Sequence, residues 1–214
     1  MGKGAMVRRL AMAAAVLLWS GADIASAQEL VAVRGTLRAV EPAGIVVATA
    51  DAEVLGLPLA NESLLFVVTP ASLDDIQAGD FVGVTSIESD DGRRVALEAH
   101  LFAEELRGVG EGHYPWDLVD QPNTMTNATV AEIQGVGRQR ALRMTWREEE
   151  GAPATAEKVI HLPPGVPVVH LRPAPDRSVL VPGKEVFVMV EGGPDDALRV
   201  TALVVGEAGA VPPM

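Results

Sequence analysis

The sequence predicts an all-β protein made of two small antiparallel β-barrels in tandem, joined by a linker rich in aromatic residues and glycine. Two observations support this prediction. Short runs rich in Val, Leu and Ala alternate with turn residues, and the chain holds 21 Gly and 15 Pro. The same order of runs also returns about 103–105 residues later, which indicates a duplicated domain.

The composition is that of a globular protein, with 48% hydrophobic and 21% charged residues among 214. The absence of cysteine excludes disulfides, iron–sulfur clusters, thiolate zinc sites and cysteine nucleophiles. The formal net charge of −12 makes nucleic acid and anionic membrane surfaces poor partners.

Residues 1–27 have the three parts of a secretory signal peptide. A basic start at Lys3, Arg8 and Arg9 precedes a ten-residue apolar core, and Ala25-Ser26-Ala27 fits the site of a signal peptidase. The alternative is a membrane anchor, but ten residues rise only about 15 Å as a helix. We therefore expect cleavage after Ala27 and export to the periplasm. Residues 28–214 keep 14 basic and 28 acidic side chains, a net charge of −14, with no transmembrane segment.

The exported part is expected to divide into a β domain at 28–106, a linker at 107–123, a second β domain at 124–206 and a flexible tail at 207–214. The first half contains the predicted strands Leu30–Val40, Gly44–Ala50, Leu64–Thr69, Phe81–Ile87 and Arg94–Phe102. The second half contains Ala128–Ile133, Arg140–Trp146, Lys158–Leu162, Val166–Leu171, Glu185–Val190 and Leu198–Val205.

A short pattern before one strand of each half explains the turn that precedes that strand. In Ile76-x-x-Gly79-Asp80 and Leu180-x-x-Gly183-Lys184, the aliphatic residue is expected to pack inward, and the glycine is expected to take a positive φ in the turn. Strands of about six residues separated by such turns favour small closed barrels.

The stretch Ala71–Val84, followed by Gly92–Phe102, resembles an OB-like domain of unknown function found in exported bacterial proteins, often in tandem copies. Residues 178–188 resemble it more loosely. The resemblance implies two OB-like barrels and specifies no activity. The whole chain is also similar to short periplasmic proteins labelled as metal-transporter permeases, although no later segment reaches the roughly 20 apolar residues that a spanning helix needs.

The segment between the halves does not repeat, and it contains the only tyrosine of the chain. Aromatic side chains there suit either a connector between two barrels or a binding loop. As a binding loop, the segment would contact a ligand or protein partner through Glu104, Glu105, Arg107, Tyr114, Trp116 and Asp117.

A transition-metal site is a further hypothesis, because imidazole and carboxylate groups concentrate near this segment. Glu98 and His100, two residues apart on a strand, are expected to point to the same face. Glu111 and His113 complete the candidate ligand set. Carboxylates are plentiful in this acidic chain, however, so chance proximity is the competing explanation. His161 and His170 lie alone in apolar strands and are interpreted as structural.

No motif indicates catalysis. The sequence lacks a G-x-S-x-G elbow, a P-loop and a dinucleotide fingerprint, and acidic pairs such as Asp90-Asp91 suit turns. The sequence therefore predicts a non-enzymatic periplasmic binding module of unknown ligand without a cofactor. The alternative is a metal-binding accessory protein linked to a metal transporter.

Overall fold

The computed structural model describes residues 30–136, 139–149, 151–192 and 198–212. The chain is all-β across these ranges, with thirteen strands and three short 3₁₀ helices. The predicted signal peptide at 1–27 lies outside the described residues. Within the described part, no helix combines the length and apolarity needed to cross a membrane.

All of the predicted strands are confirmed, and two further strands, β3 and β7, lie in segments where none was expected. The thirteen strands are β1 Leu30–Glu41, β2 Gly44–Thr49, β3 Val54–Pro58, β4 Leu64–Ala71, β5 Phe81–Glu88, β6 Arg94–Phe102, β7 Gly112–Trp116, β8 Asn123–Val136, β9 Gln139–Trp146, β10 Ala156–Leu162, β11 Val168–Pro173, β12 Glu185–Gly192 and β13 Leu198–Gly206. The 3₁₀ helices are Leu73–Asp75, Glu104–Leu106 and Arg177–Val179.

The strands form two compact units. Unit 1 contains the described residues up to Leu65 together with those of Leu180–Val204, and unit 2 contains Phe66–Val179 and the described residues from Val205 onward. Each unit thus takes strands from both predicted β domains. The boundaries 28–106, 107–123 and 124–206 stay a prediction about the organisation of the sequence.

Unit 1 is a five-stranded sheet in the order β13–β12–β1–β2–β3. β1 pairs antiparallel with β12, with Gly35 opposite Val186, although 150 residues of sequence lie between these two positions. The backbone N–H of Leu37 donates to Lys184 O at 2.8 Å, and the N–H of Gly183 donates to Leu37 O at 2.7 Å. The buried face includes Leu37, Ile45, Val47, Leu57, Val188 and Leu203.

Unit 2 contains a closed five-stranded barrel. Its strands follow the circular order β5–β6–β10–β9–β8, and parallel pairing of Ile160 and His161 with Arg94 and Val95 closes the circle. β11 pairs in parallel with the remainder of β6, and β4 pairs with β11. β7 pairs with the first part of β8. The barrel core includes Val82, Val84, Ala128, Leu142, Met144, Ile160 and Leu162.

The two predicted glycine turns are confirmed. Gly79 has a φ of +96° and Gly183 a φ of +93°, values that a side chain makes costly. Ile76 and Leu180 are buried, as expected. Before the first turn, the Asp75 carboxylate accepts bonds from the backbone N–H of Ser72 at 2.8 Å and from its hydroxyl at 3.0 Å. Local side chains thus stabilise the bend that leads into β5.

The described part of the C-terminal tail packs on unit 2. The N–H of Glu207 donates to Val68 O at 2.9 Å, and its carboxylate accepts a bond from Arg172 at 2.9 Å. The N–H of Ala210 donates to Glu207 O at 2.9 Å, which forms a turn, and Pro212 is buried. The expected flexibility of 207–214 stays a prediction.

Candidate functional site

Two of the predicted metal ligands, Glu98 and His100, form a buried pair on β6. Their exposed fractions are 3% and 1%, and His100 Nε2 lies 3.1 Å from Glu98 Oε1. Thr85 on β5, directly opposite Glu98, donates its hydroxyl to the same carboxylate oxygen at 2.8 Å. The expectation that the two residues share a face is confirmed. The pairing with Thr85 was not foreseen, because it depends on the register of β5 and β6.

An asparagine extends this buried polar cluster. Asn127 on β8 donates its side-chain N–H to the Tyr114 hydroxyl at 3.0 Å, whereas its Oδ1 is buried without a hydrogen-bond partner among the described residues. Gly83 makes the approach possible, since a Cβ at this position would lie 2.5 Å from Asn127 Oδ1 and 3.5 Å from His100 Nδ1. The cluster therefore requires a glycine at this point of β5.

The other two predicted metal ligands have different partners. His113 on β7 lies 2.8 Å from the Thr126 hydroxyl and stacks on Trp146. Burial, helped by the charges of Lys158 and Arg94, lowers the pKa of His113. Because His113 and Tyr114 are consecutive residues of a strand, they point to opposite faces of the sheet. His113 thus lies on the face opposite to Asn127 and His100.

Glu111 is held by an arginine. Its carboxylate accepts bonds from Arg147 Nη2 at 2.6 Å, Nε at 3.0 Å and the backbone N–H at 3.1 Å. Burial alone would raise the pKa of Glu111, but these bonds and the charge of Arg147 lower it. Throughout the described ranges, no three His, Asp or Glu side chains are close enough together to bind one metal ion.

The predicted contact residues at 104–107 form one turn of 3₁₀ helix and its end. Glu104 and Arg107 make a bidentate pair, with Nε–Oε1 at 2.6 Å and Nη2–Oε2 at 2.7 Å, and Arg107 also donates to Gly79 O at 3.0 Å. This pair lowers the pKa of Glu104 and raises that of Arg107. Glu105 is exposed. Arg107, which is held in place by Glu104, therefore stabilises the turn that contains Gly79.

The predicted aromatic contacts lie on β7 and are half-buried. Tyr114 and Trp116 pack edge to face with ring centroids 6.1 Å apart, and the Tyr114 hydroxyl donates to Gly110 O at 3.3 Å. Burial raises the pKa of Tyr114 to about 12. Asp117 follows at the end of the strand and is also half-buried. Tyr114 therefore attaches β7 and its preceding loop to β8.

A cleft of about 620 Å³ lies beside this loop, bordered by Arg107, Gly108, Val109, Glu111, Arg147, Glu148 and Glu149. Charges of both signs line it, and its best-placed cation and anion, Arg147 and Glu111, bond to each other. Two of the predicted residues, Arg107 and Glu111, thus border a concave surface. Arg107 and Arg147 are already paired with Glu104 and Glu111, whereas the exposed Glu148 and Glu149 also line the cleft, so the charge that remains in it is negative.

A second groove, of about 490 Å³, lies at the end of the unit 2 barrel where β6 and β9 begin and β8 and β10 end. We call it the barrel groove. Among the described residues it is lined by Arg93, Val95, Gln134, Gly135, Arg140, Ala141, His161, Leu162, Pro163 and Pro164. The strand register brings the residues at the bottom of the groove together, because Ala141 pairs with both His161 and Gln134 in the neighbouring strands. Small residues at 135 and 141 make the surface concave.

The barrel groove was not expected from the sequence, in which His161 was interpreted as structural. The residues that line the groove come from segments up to about 70 residues apart in the sequence, so no local motif predicts the groove. The available signal was the position of Arg93 and Arg140, two of only 17 basic residues, beside strand ends. That signal becomes specific only once the circular strand order is known.

Both arginines of the barrel groove pair with a nearby aspartate. Arg93 donates to Asp91 at 2.7 Å, and this bond holds the pKa of Asp91 well below its usual range and raises that of Arg93. Arg140 donates to Leu73 O at 2.7 Å and bonds to the carboxylate of Asp74. The Arg93 and Asp74 side chains are largely exposed. The arrangement combines an apolar floor with two cations at its margin.

Comparisons with known proteins provide no relative from which to transfer a function. No protein-family model, no curated protein and no solved structure matches this chain.

Proposed function

We propose that this chain is an exported, non-enzymatic binding module of the periplasm, made of two tandem OB-like barrels, that holds a small anionic ligand in the barrel groove. The observation that carries the proposal is the groove itself, in which Arg93 and Arg140 border an apolar floor formed by Val95, Ala141 and Pro163. No cofactor is required for such a function.

Repeated backbone contacts support the tandem barrels. In unit 1, Leu37 bonds to Lys184 O and accepts a bond from Gly183; in unit 2, Val130 bonds to Asp80 O and accepts one from Gly79. The pairing of β1 with β2 and the pairing of β8 with β9 each contain a bulge at this same residue. The bulge comes after Leu37 in β1 and after Val130 in β8. Two unrelated sheets would not be expected to share a bulge, a glycine turn and both hydrogen bonds.

The size and position of the barrel groove support ligand binding. Small-molecule sites commonly have volumes of about 300–1,000 Å³ and apolar walls with a few polar groups. The groove also lies beside the β5–β6 connection and the adjacent ends of β8 and β9 in a five-stranded barrel. Loops at the ends of strands are where OB folds bind their ligands.

The charges favour an anionic ligand. Exposed ion pairs contribute only about 0–1 kcal/mol, so a ligand carboxylate or phosphate can replace Asp91 or Asp74 at little cost. OB folds that bind nucleic acid use basic grooves with stacking aromatic rings. The described lining of this groove contains no Phe, Tyr or Trp, and the chain has a net charge of −12. A small ligand is therefore favoured over nucleic acid.

A pair of fluorescent probes tests the proposal. Anilinonaphthalene sulfonate combines an aromatic body with one negative charge, and N-phenylnaphthylamine has nearly the same body without the charge. We expect the anionic probe to bind more tightly to the wild type than the neutral probe does. We expect Arg93→Gln/Arg140→Gln to reduce affinity for the anionic probe about tenfold while changing the neutral probe little.

The matched control is Arg143→Gln. Arg143 is on the same barrel but outside the groove, where it pairs with Glu132 at 3.1 Å and Glu157 at 3.5 Å. This variant removes one positive charge from the barrel, whereas the groove variant removes two, and it should bind both probes like the wild type. Equal losses in the groove and control variants would mean that overall charge, rather than the groove, determines binding.

The alternative of a metal-binding accessory protein for a metal transporter rests on one observation. Glu98 and His100 are in contact, and Asn127 Oδ1, which has no hydrogen-bond partner within the described ranges, lies with His100 Nδ1 near the Cα of Gly83. Titration with zinc, manganese, nickel and copper tests it, with His100→Ala/His113→Ala alongside. About one metal per chain, lost in the variant, would favour this alternative; equal weak binding by both proteins would rule it out.

A further inference from the structure

β3 has an open backbone edge. Among the described strands its only neighbour is β2. The N–H of Thr49 donates to Glu53 O at 2.9 Å and that of Leu59 donates to Ala43 O at 3.1 Å, one at each end of the pairing. Since bonding residues alternate in an antiparallel pair, Leu55 and Leu57 bond to β2. The backbone groups of the alternate residues Val54, Gly56 and Pro58 face away from β2.

This edge lacks the usual protection against pairing. Natural edge strands commonly carry lysine, a bulge or an inward-pointing charge. β2 and β3 contain no charged residue, and their pairing has no register shift. The Val54 side chain is 66% exposed, and no atom lies within 4 Å of the point where a Cβ of Gly56 would be. Among the described residues of β3, Pro58 at the last position limits the edge.

The strand of unit 2 that corresponds to β3 is β10, and it has neither an open edge at its end nor uncharged surroundings. β10 has a second neighbour, because Ile160 and His161 pair with β6. The neighbouring outer surface is also charged, since Arg143 on β9 forms ion pairs with Glu132 and Glu157. The open, uncharged edge of β3 is therefore not shared by β10, the corresponding strand of unit 2.

Acidic residues surround the edge. Asp51 and Glu53 precede β3, and Glu41 lies at the end of β1, opposite Gly44, which in turn pairs with Pro58. All three side chains are exposed. Positive charges that flank a docked segment would therefore be attracted at both ends of β3. A second copy of this chain would bring the same acidic groups and is disfavoured as an occupant.

We propose that β3 is a docking edge for an extended segment of a partner protein, with alternating β-branched residues in its centre and Lys or Arg at its ends. The segment adds a strand to unit 1 by bonding to the outward backbone groups of Val54, Gly56 and Pro58. Main-chain bonds supply affinity in such β-augmentation, and side chains supply specificity. This interaction is separate from ligand binding in the barrel groove.

The test uses a labelled synthetic peptide, Lys-Lys-Val-Thr-Val-Thr-Val-Lys-Lys, and fluorescence anisotropy with the purified chain. Gly56→Pro removes an outward N–H, and proline is tolerated on edge strands when its nitrogen faces away from the neighbouring strand. We expect at least about tenfold weaker binding by Gly56→Pro. Gly56→Ala, which keeps the N–H and meets no neighbouring atom, should bind like the wild type. Circular dichroism confirms that both variants fold.

Two further comparisons separate backbone pairing from charge attraction. The same peptide with N-methylated valines keeps its charge and should lose binding. Asp51→Asn/Glu53→Gln should weaken binding and reduce its dependence on salt. Equal affinity of wild type and Gly56→Pro, equal affinity for the methylated peptide, or no binding at about 1 mM would overturn the proposal. So would a concentration-dependent dimer that Gly56→Pro abolishes, because the occupant would then be a second copy.

Discussion

Gly83 is the residue on which the buried polar cluster of unit 2 depends. It lies opposite His100 on one side and Asn127 on the other, and its missing side chain lets these two groups approach. A period of two along β6 was enough to predict that Glu98 and His100 share a face. Asn127, Thr85 and Gly83 join them only through the pairing of β5 with β6 and β8, which no sequence spacing encodes.

Gly83→Ala should destabilise the protein by about 1–3 kcal/mol, the usual cost of overpacking a filled interior. The added Cβ would lie 2.5 Å from Asn127 Oδ1 and 3.0 Å from a ring carbon of Phe102. Urea unfolding measures the change. Gly56→Ala is the control, because its Cβ meets no atom within 4 Å, and its stability should stay within about 0.5 kcal/mol of the wild type. Equal stability of Gly83→Ala and wild type would show that the cluster is loosely packed.

β3 and β7 are the elements that the sequence analysis missed. β3 contains Gly56 and Pro58, and β7 contains Gly112 and Pro115, residue types that are depleted in strands. Pairing overrides this local preference: β3 follows β2 in a hairpin, and β7 pairs with the first residues of β8. The other strands contain short, partly alternating runs of hydrophobic and β-branched residues bounded by turn residues, and were predictable for that reason.

Titration of Tyr114 tests the attachment of β7. It is the only tyrosine of the chain, so ultraviolet absorbance reports on it alone. Burial raises its pKa from 10.0 to about 12, which means that folding favours the neutral phenol. The corresponding stability is fully present below pH 10 and is lost as the pH rises to about 12, because the unfolded state ionises first. A midpoint near 10 in the folded protein would mean that β7 does not bury this ring.

At the scale of the whole molecule, the central feature is that each unit takes strands from distant parts of the chain. Unit 1 joins β1–β3 to β12 and β13, and the barrel of unit 2 joins β5 and β6 to β8–β10. Hydrophobic periodicity is a local signal, so it predicts where strands lie in the sequence but not which strands pair with each other. The all-β class was therefore predictable, whereas the pairing of β1 with β12, the pairing of β5 with β8 and the barrel groove of unit 2 were not.

Cleavage of the chain tests this organisation. A protease site inserted between Asp120 and Gln121, in an exposed bend, would separate β1–β7 from β8–β13. Because each unit needs strands from both fragments, we expect the fragments to stay together after cleavage, to be unfolded when separated in urea and diluted alone, and to refold when mixed. Circular dichroism and size exclusion follow these states. If each fragment regained its β structure alone, the predicted domains at 28–106 and 124–206 would be independent folding units.

Native mass spectrometry of the untagged chain, purified from the periplasm, tests the proposed function most directly. A binding module with a cationic, mostly apolar groove should carry a small acidic compound that Arg93→Gln/Arg140→Gln loses and Arg143→Gln retains. Elemental analysis of the same sample tests the metal alternative. A wild-type chain that carries no small molecule and binds no acidic metabolite on titration, or one whose bound compound is retained in the groove variant, would contradict the assignment of the barrel groove as the binding site.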